Sequence, residues 1–198
     1  MPIRYRLKNW RPPVFALAAV VASAELATAQ TMTYAERLQA CHTCHGEDGN
    51  SKMETIPSIA GQPEFYILNQ LFLMREGVRQ VEAMVPFVKD LTDEELDRLS
   101  KHFAGLAAKP SGEAIDPALA RRGAELSNQR RCGSCHLPNL AGQDQMARLA
   151  KQRIDYMIPT LKSYRDAPRP GADTAMSAAI AGATDDDITA LAHYCASM

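Results

Sequence analysis

The sequence has no run that alternates apolar and polar residues long enough to make a half-buried strand. A sheet-built core is therefore excluded, and an all-α protein is expected. Apolar runs of membrane-spanning length are also missing. Val14 to Ala24 is uncharged and mostly apolar, but it is too short to cross a bilayer comfortably. There is no excess of positive charge either. Lys and Arg number 22 against 23 Asp and Glu, a formal net charge of −1. Without a basic patch to meet phosphates, nucleic-acid binding is excluded. Cysteine is sparse, with five in 198 residues, and four of the five fall into two short motifs.

The first residues read as a secretory signal peptide spanning 1–29. Arg4, Arg6, Lys8 and Arg11 precede the apolar run, and Ala27-Thr28-Ala29 supplies small residues before a cut ahead of Gln30. Removing that segment takes away four basic residues and one acid, Glu25. The remaining 169 residues keep 18 basic and 22 acidic side chains, a formal −4. Such a surface suits a soluble partner with a basic face. Export predicts a periplasmic location, a compartment that tolerates oxidised thiols.

The two motifs are Cys41-His42-Thr43-Cys44-His45 and Cys132-Gly133-Ser134-Cys135-His136. Both read C-x-x-C-H, the pattern of covalent haem attachment. Two thiols three residues apart can each add to a vinyl group on one porphyrin edge. The histidine that follows is then placed under the iron as an axial ligand. A thioredoxin-like pair gives no reason for the trailing histidine. A four-cysteine zinc site leaves both histidines unexplained, and its two pairs would lie 91 residues apart. His45 and His136 are thus predicted as proximal ligands, with Cys41, Cys44, Cys132 and Cys135 holding two haem c groups.

Laid on itself, the chain repeats. The motifs match at an offset of 91. Ala60-Gly61-Gln62 matches Ala150-Lys151-Gln152 at 90, as do Tyr66, Leu71 and Arg75 with Tyr156, Leu161 and Arg165. Met84 matches Met176, and Thr92 to Leu96 matches Thr184 to Ile188, both at 92. Each module opens with a helix running into its motif, capped by Thr33 with Glu36 or by Asp116 before Pro117. A middle helix begins near Pro63, with Phe65, Leu68 and Phe72 on one face, and its counterpart begins near Gln152. A loop then carries the methionine. The closing helix shows a stripe of Leu96, Leu99, Phe103 and Leu106, repeated as Ile188, Leu191, Cys195 and Met198. The expected organisation is a first domain over 30–108, a linker over 109–117 and a second domain over 118–198. Each lobe has about eighty residues, a size at which an apolar core alone is marginal.

Met84 and Met176 lie 39 and 40 residues after their histidines, and they are the predicted sixth ligands. A soft, neutral thioether favours the ferrous state. Met74 and Met157 read as core residues, and Met53 lies too close to His45 to reach the opposite face. His42 reads as partly exposed near the haem edge, and His102 and His193 as structural or surface histidines. Cys195, on the closing stripe, reads as a buried inert thiol. A carbonyl near Pro57, and one at Ala147, are expected to hold the second nitrogen of each proximal imidazole. Tyr66 and Tyr156 are expected against the haems.

CHTCHGEDGNS, IPSIAGQPEFYILNQL and a methionine before DLTDEEL, followed by CGSCHLPNLAGQDQMARLAKQ and DTAM, resemble the dihaem class I cytochromes c of the cytochrome c4 type over residues 33–198. The resemblance implies two tandem cytochrome c folds related by a pseudo-twofold axis, with haem edges close together across the interface. It also implies electron transfer in the periplasm among oxidase, reductase or dehydrogenase partners, with any membrane association made through a partner. Lys151, Ala147 and Val85 depart from the family pattern, which favours glycine, proline and a second methionine there. The expected function is electron carriage through two His–Met haems, not catalysis. The rival readings are the haem subunit of a flavin- or quinoprotein dehydrogenase and a dihaem enzyme with an open haem site.

Overall fold

A computed structural model of the protein describes residues 1–2, 32–167, 170–171 and 173–198. The expected signal peptide, apart from its first two residues, lies outside the described residues. The chain divides into Met1–Thr31 and Met32–Met198, and the second unit carries both motifs.

The described residues are helical, with a single isolated bridge between Gln143 and Met146. The first half contains α1 (Tyr34–His45), α2 (Glu64–Arg75), a 3-10 turn (Glu82–Met84), α3 (Val85–Val88) and α4 (Asp93–Ala104). The second contains α5 (Pro117–Gln129), α6 (Gly133–His136), α7 (Ile154–Asp166), α8 (Thr174–Ile180) and α9 (Asp185–Ser197).

The helix starts follow from local chemistry. Thr33, Thr92 and Thr184 each complete a capping box, with Glu36, Glu95 and Asp187 respectively. Asp116 accepts from the amides of Ala118 and Leu119, with Pro117 at the first helical position. Three acids fill the first turn of α4, and three fill that of α9, matching the positive helix end.

Each half has its own core. Ile67, Val88, Leu91, Leu96, Leu99 and Phe103 form the first. The second includes Leu140, Ile154, Met157, Leu161, Ile188, Leu191 and Cys195. The closing stripes are buried at Leu96, Leu99 and Phe103 and at Ile188, Leu191 and Cys195, while Leu106 and Met198 lie just past the helix ends and are half-buried. An arginine at the end of each middle helix locks it to the closing helix. Arg75 bonds the Leu91 carbonyl and Asp93, and Arg165 bonds the Ala183 carbonyl and Asp185.

Three expectations need correction. Phe65 and Phe72 are exposed at 53% and 42%, and Leu68 is only half-buried. The buried side of α2 is instead Ile67, with Leu71 and Met74 beside it. Both sides of this helix are apolar, so periodicity alone cannot choose between them. The opening helix of the second half does not run into its motif. It ends at Gln129, Arg131 turns to φ +56°, and α6 begins at Gly133. Met84 and Met176 are on short helical segments rather than loops: Met84 ends the 3-10 turn, and Met176 is inside α8.

The 109–117 stretch lacks regular structure until Pro117 but is tied down. The Lys109 amide donates to Asn50, and its ammonium pairs with Asp48. Glu113 accepts from the amides of Ile154 and Asp155, capping α7 from a distance.

Candidate haem sites

One apolar cavity of about 440 Å³ runs through both halves. Cys41, Cys44, His45 and Met84 line it from the first half, and Cys132, Cys135, His136 and Met176 from the second. All eight predicted site residues are thus brought to one wall system. Tyr66 and Tyr156 also line it.

Both proximal imidazoles are held alike. His45 Nδ1 lies 2.9 Å from the Pro57 carbonyl oxygen, and His136 Nδ1 lies 2.8 Å from that of Ala147. A carbonyl can only accept, so each Nδ1 carries the proton and each Nε2 keeps its lone pair. Burial pulls both imidazoles below the usual histidine range, against the opposing effect of the carbonyl bond. A neutral imidazole with a fixed tautomer is the form that ligates a metal. Ala147 replaces proline without loss, since only its carbonyl is used.

The backbone behind each histidine repeats as well. The Gly49 carbonyl accepts from Ile59 and Ala60 amides, and the Leu140 carbonyl accepts from Leu149 and Ala150. These double bonds fold the loop back so that residues 57 and 147 reach their imidazoles.

The two halves are joined by a reciprocal exchange. The Gln62 side chain donates to the Arg148 carbonyl and accepts from its amide, at 3.0 and 2.8 Å. Gln152 does the same with Ser58, at 2.8 Å for both bonds. Gln62 and Gln152 are repeat mates, and so are Ser58 and Arg148. The contacts therefore obey a local pseudo-twofold. Sequence reading found the glutamines as repeat positions but had no signal for their partners.

Two further arrangements were not visible in the sequence. Arg79 lines the cavity and bonds Gln70, while its Nε is buried with no hydrogen-bond partner among the described residues. The ring centroids of His42 and His102 are 5.7 Å apart, and both Nε2 atoms are buried without a hydrogen-bond partner among the described residues. Neither histidine lines the cavity. The His193 imidazole accepts from the Asp116 amide. Cys195 is buried, and burial pushes its thiol up to about 12, as an inert core cysteine requires. Met74 and Met157 pack in the cores, and Met53 is exposed.

The residues fit a haem c in each half. Paired thiols, an imidazole with a free lone pair and a thioether face one apolar space. The unpaired Arg79 N–H offers a donor to an anionic substituent.

Family models agree with this arrangement. The model described as cytochrome c matches residues 120–198, and that of cytochrome c oxidase, cbb3-type, subunit III matches 25–102. Cytochrome c4 of Stutzerimonas stutzeri is 32% identical over 178 residues, covering 80% of this chain and 84% of that protein. The chain belongs to the cytochrome c4 family. The crystal structure of reduced recombinant cytochrome c4 from Pseudomonas stutzeri superposes with a TM-score of 0.75 at 28% identity, covering 85% of this chain and all of that one. A thiosulfate dehydrogenase electron acceptor of Stutzerimonas stutzeri strain A1501 is 31% identical, covering 80% of this chain and 79% of that protein. This c4-type chain is two tandem class I cytochrome c domains with two covalently bound haem c groups. It is a dihaem electron carrier, not an enzyme, and it works with redox partners. Among the described residues, no helix is long and apolar enough to cross a membrane.

Proposed function

We propose that this chain relays single electrons in the periplasm from a dehydrogenase to a respiratory acceptor, through two His–Met haems. Cys41 and Cys44 would hold the first haem through thioether bonds, with His45 and Met84 ligating its iron. Cys132 and Cys135 would hold the second, with His136 and Met176. The domains are those expected from the repeat, 30–108 and 118–198, joined by 109–117 after a cleaved segment 1–29. The observation that carries this reading is the matched set of two thiols, an oriented imidazole and a thioether that each half presents to the cavity.

When bound, each haem supplies an iron that alternates between ferric and ferrous. The chain's own residues fix and insulate it. Pro57 and Ala147 hold the imidazole tautomers through their carbonyls. Leu71, Leu99 and Phe103 in the first half, and Leu161, Ile180 and Leu191 in the second, wall the cavity and exclude water. Ligation of each iron by Met84 or Met176 would leave no position for a substrate. Continuity of the cavity across the halves supports passage of the electron from one domain to the other. The match to a thiosulfate dehydrogenase electron acceptor supports a sulfur-oxyanion dehydrogenase as the donor.

Absorption spectra of the oxidised holoprotein test the ligands. The expected result is sulfur-to-iron charge-transfer absorption from both haems, with no rapid binding of cyanide by the oxidised protein or of carbon monoxide by the reduced one. Met84→Ala should halve that absorption and admit carbon monoxide at one haem, and Met176→Ala should do the same at the other. A variant that leaves the absorption whole removes that methionine from the ligand set. Co-purification of a flavoprotein or quinoprotein would make the chain a dehydrogenase subunit instead of a free carrier.

A further inference from the structure

Arg148 stands out at the junction of the halves. Three arginines are buried to the same extent among the described residues: Arg37, Arg148 and Arg153, each 5% exposed. Arg37 pairs with Glu95 at 3.0 Å, and Arg153 pairs with Asp155 and reaches Glu113. Arg148 has no carboxylate partner among the described residues. Its Nε donates to the Ala60 carbonyl at 3.1 Å, one terminal nitrogen to the Ser58 carbonyl at 3.3 Å, and the other to the Ala150 carbonyl. A guanidinium has five N–H bonds, so two remain unused. Burial without a counter-charge pulls its pKa down to about 10.

A buried cation left unpaired is strongly unfavourable. Arg148 nonetheless lines the cavity that both C-x-x-C-H motifs face. Each haem c carries two carboxylate arms, and a guanidinium fork matches a carboxylate in charge and shape. The repeat sharpens the point: Ser58 occupies the equivalent place in the first half and is uncharged. The head group of Arg148 also crosses the junction, bonding two carbonyls of the first half and one of its own.

We propose that Arg148 is the counter-charge of a haem propionate at the junction of the two halves, and that its positive charge raises the reduction potential of the haem it pairs. This rests on the reading above that the cavity holds two His–Met haems. A fixed cation near the iron disfavours the ferric state, which carries the extra positive charge. Because its repeat mate Ser58 is uncharged, Arg148 is a buried cation that the first half lacks at the matching position.

The test is redox titration of the holoprotein, resolving both haems, in Arg148→Gln and Arg148→Lys. Gln should shift at least one ferric/ferrous equilibrium tenfold toward ferric, about 59 mV lower for one electron. Lys, which keeps the charge, should hold both within about threefold of the parent, roughly 30 mV. Potentials unchanged in Gln, with the charge-transfer absorption intact, would overturn the proposal and leave Arg148 as an interface brace. Loss of that absorption in the unmodified protein is a separate failure, of the His–Met reading. Should Arg148→Gln not mature with both haems, a crystal structure of the unmodified holoprotein decides. A propionate oxygen within hydrogen-bond distance of the guanidinium supports the proposal, and propionates directed to solvent overturn it.

Discussion

Behind their histidines the two halves trace the same backbone with different residues. Gly49 has φ +70° and its repeat mate Leu140 has φ +55°, with the same pair of amides on each carbonyl. Gly61 has φ +62° and Lys151 has φ +59°; their amides donate to the equivalent carbonyls of Phe103 and Cys195. At these two positions the first half enters the left-handed region with glycine, and the second places side chains there, at about 1 kcal/mol each. What offsets this differs by site. Leu140 is 1% exposed and fills the second core, and the Lys151 ammonium reaches the Ala108 carbonyl across the linker. The conserved quantity is the hydrogen-bonded path that aims a carbonyl at the imidazole, and residue choice adapts to it.

The largest test of that difference is Leu140→Gly. It relieves the left-handed strain but empties a core position and frees the unfolded chain, so we expect a loss of about 4 kcal/mol in urea unfolding. The mirror change Gly49→Ala should cost less, about 2 kcal/mol, since its methyl would lie 3.0–3.1 Å from Ala60. Equal losses would mean that packing of Leu140 does not offset its conformation.

Helix packing separates the halves as well. In the second, α5 crosses α9 closely at Gly123, where an added Cβ would press on the Ala190 carbonyl and lie 2.6 Å from Tyr194 Cβ. Gly123→Leu should therefore destabilise the second half by about 3 kcal/mol and lower attachment of its haem, read as haem per chain. In the first half, α1 packs Tyr34 and Leu38 on the core and is tied by Arg37 to Glu95 and the Phe87 carbonyl; Arg122 and Asp187 form the matching ion pair between α5 and α9.

The junction is where the halves act alike. Gln62→Ala strands the buried amide and carbonyl of Arg148, and Gln152→Ala strands the amides of Ser58 and Arg153, so each should cost about 2 kcal/mol of stability by thermal unfolding. A marked inequality would show that the pseudo-twofold is only geometric. Arg148, bonding to Ser58 and Ala60 from the second half, breaks that symmetry.

The smallest effect is a matter of pH. Asp48 accepts from the Asn50 amide, and its mate Asn139 accepts from Ala141 in the same turn. The Lys109 ammonium first, and the Asn50 amide next, lower the Asp48 carboxyl to about 2. Its folded pKa lies below its unfolded one, so its contribution is complete above about pH 4 and disappears as pH falls toward 2. The pair is solvent-exposed, so less than about 1 kcal/mol is at stake. Asp48→Asn should remove this acid-dependent component from unfolding curves between pH 4 and 2, making the turn behave like its neutral counterpart.

Much of the site was legible because its chemistry is local. C-x-x-C-H fixes two thiols and an imidazole within five residues, and the repeat singled out Met84 and Met176 from nine methionines. The capping boxes and closing stripes also follow from neighbours three or four residues away. The face of α2 was misread because Phe65, Leu68 and Phe72 compete with Ile67, Leu71 and Met74 for burial, and only the cavity decides between them. Arg131 hid the break in the second opening helix, since arginine is an ordinary helix former with no turn signal of its own.

The sequence alone determined that this protein is a twice-repeated helical module with a haem-attachment motif and a candidate thioether in each copy. Those features are encoded by spacing along the chain. The tertiary structure decided which carbonyls hold the imidazoles, how Gln62 and Gln152 lock the halves together, and that Arg148 is buried with no acid beside it. Such facts depend on which distant backbone segments meet when two apolar cores close around a shared cavity, and no short-range pattern records them.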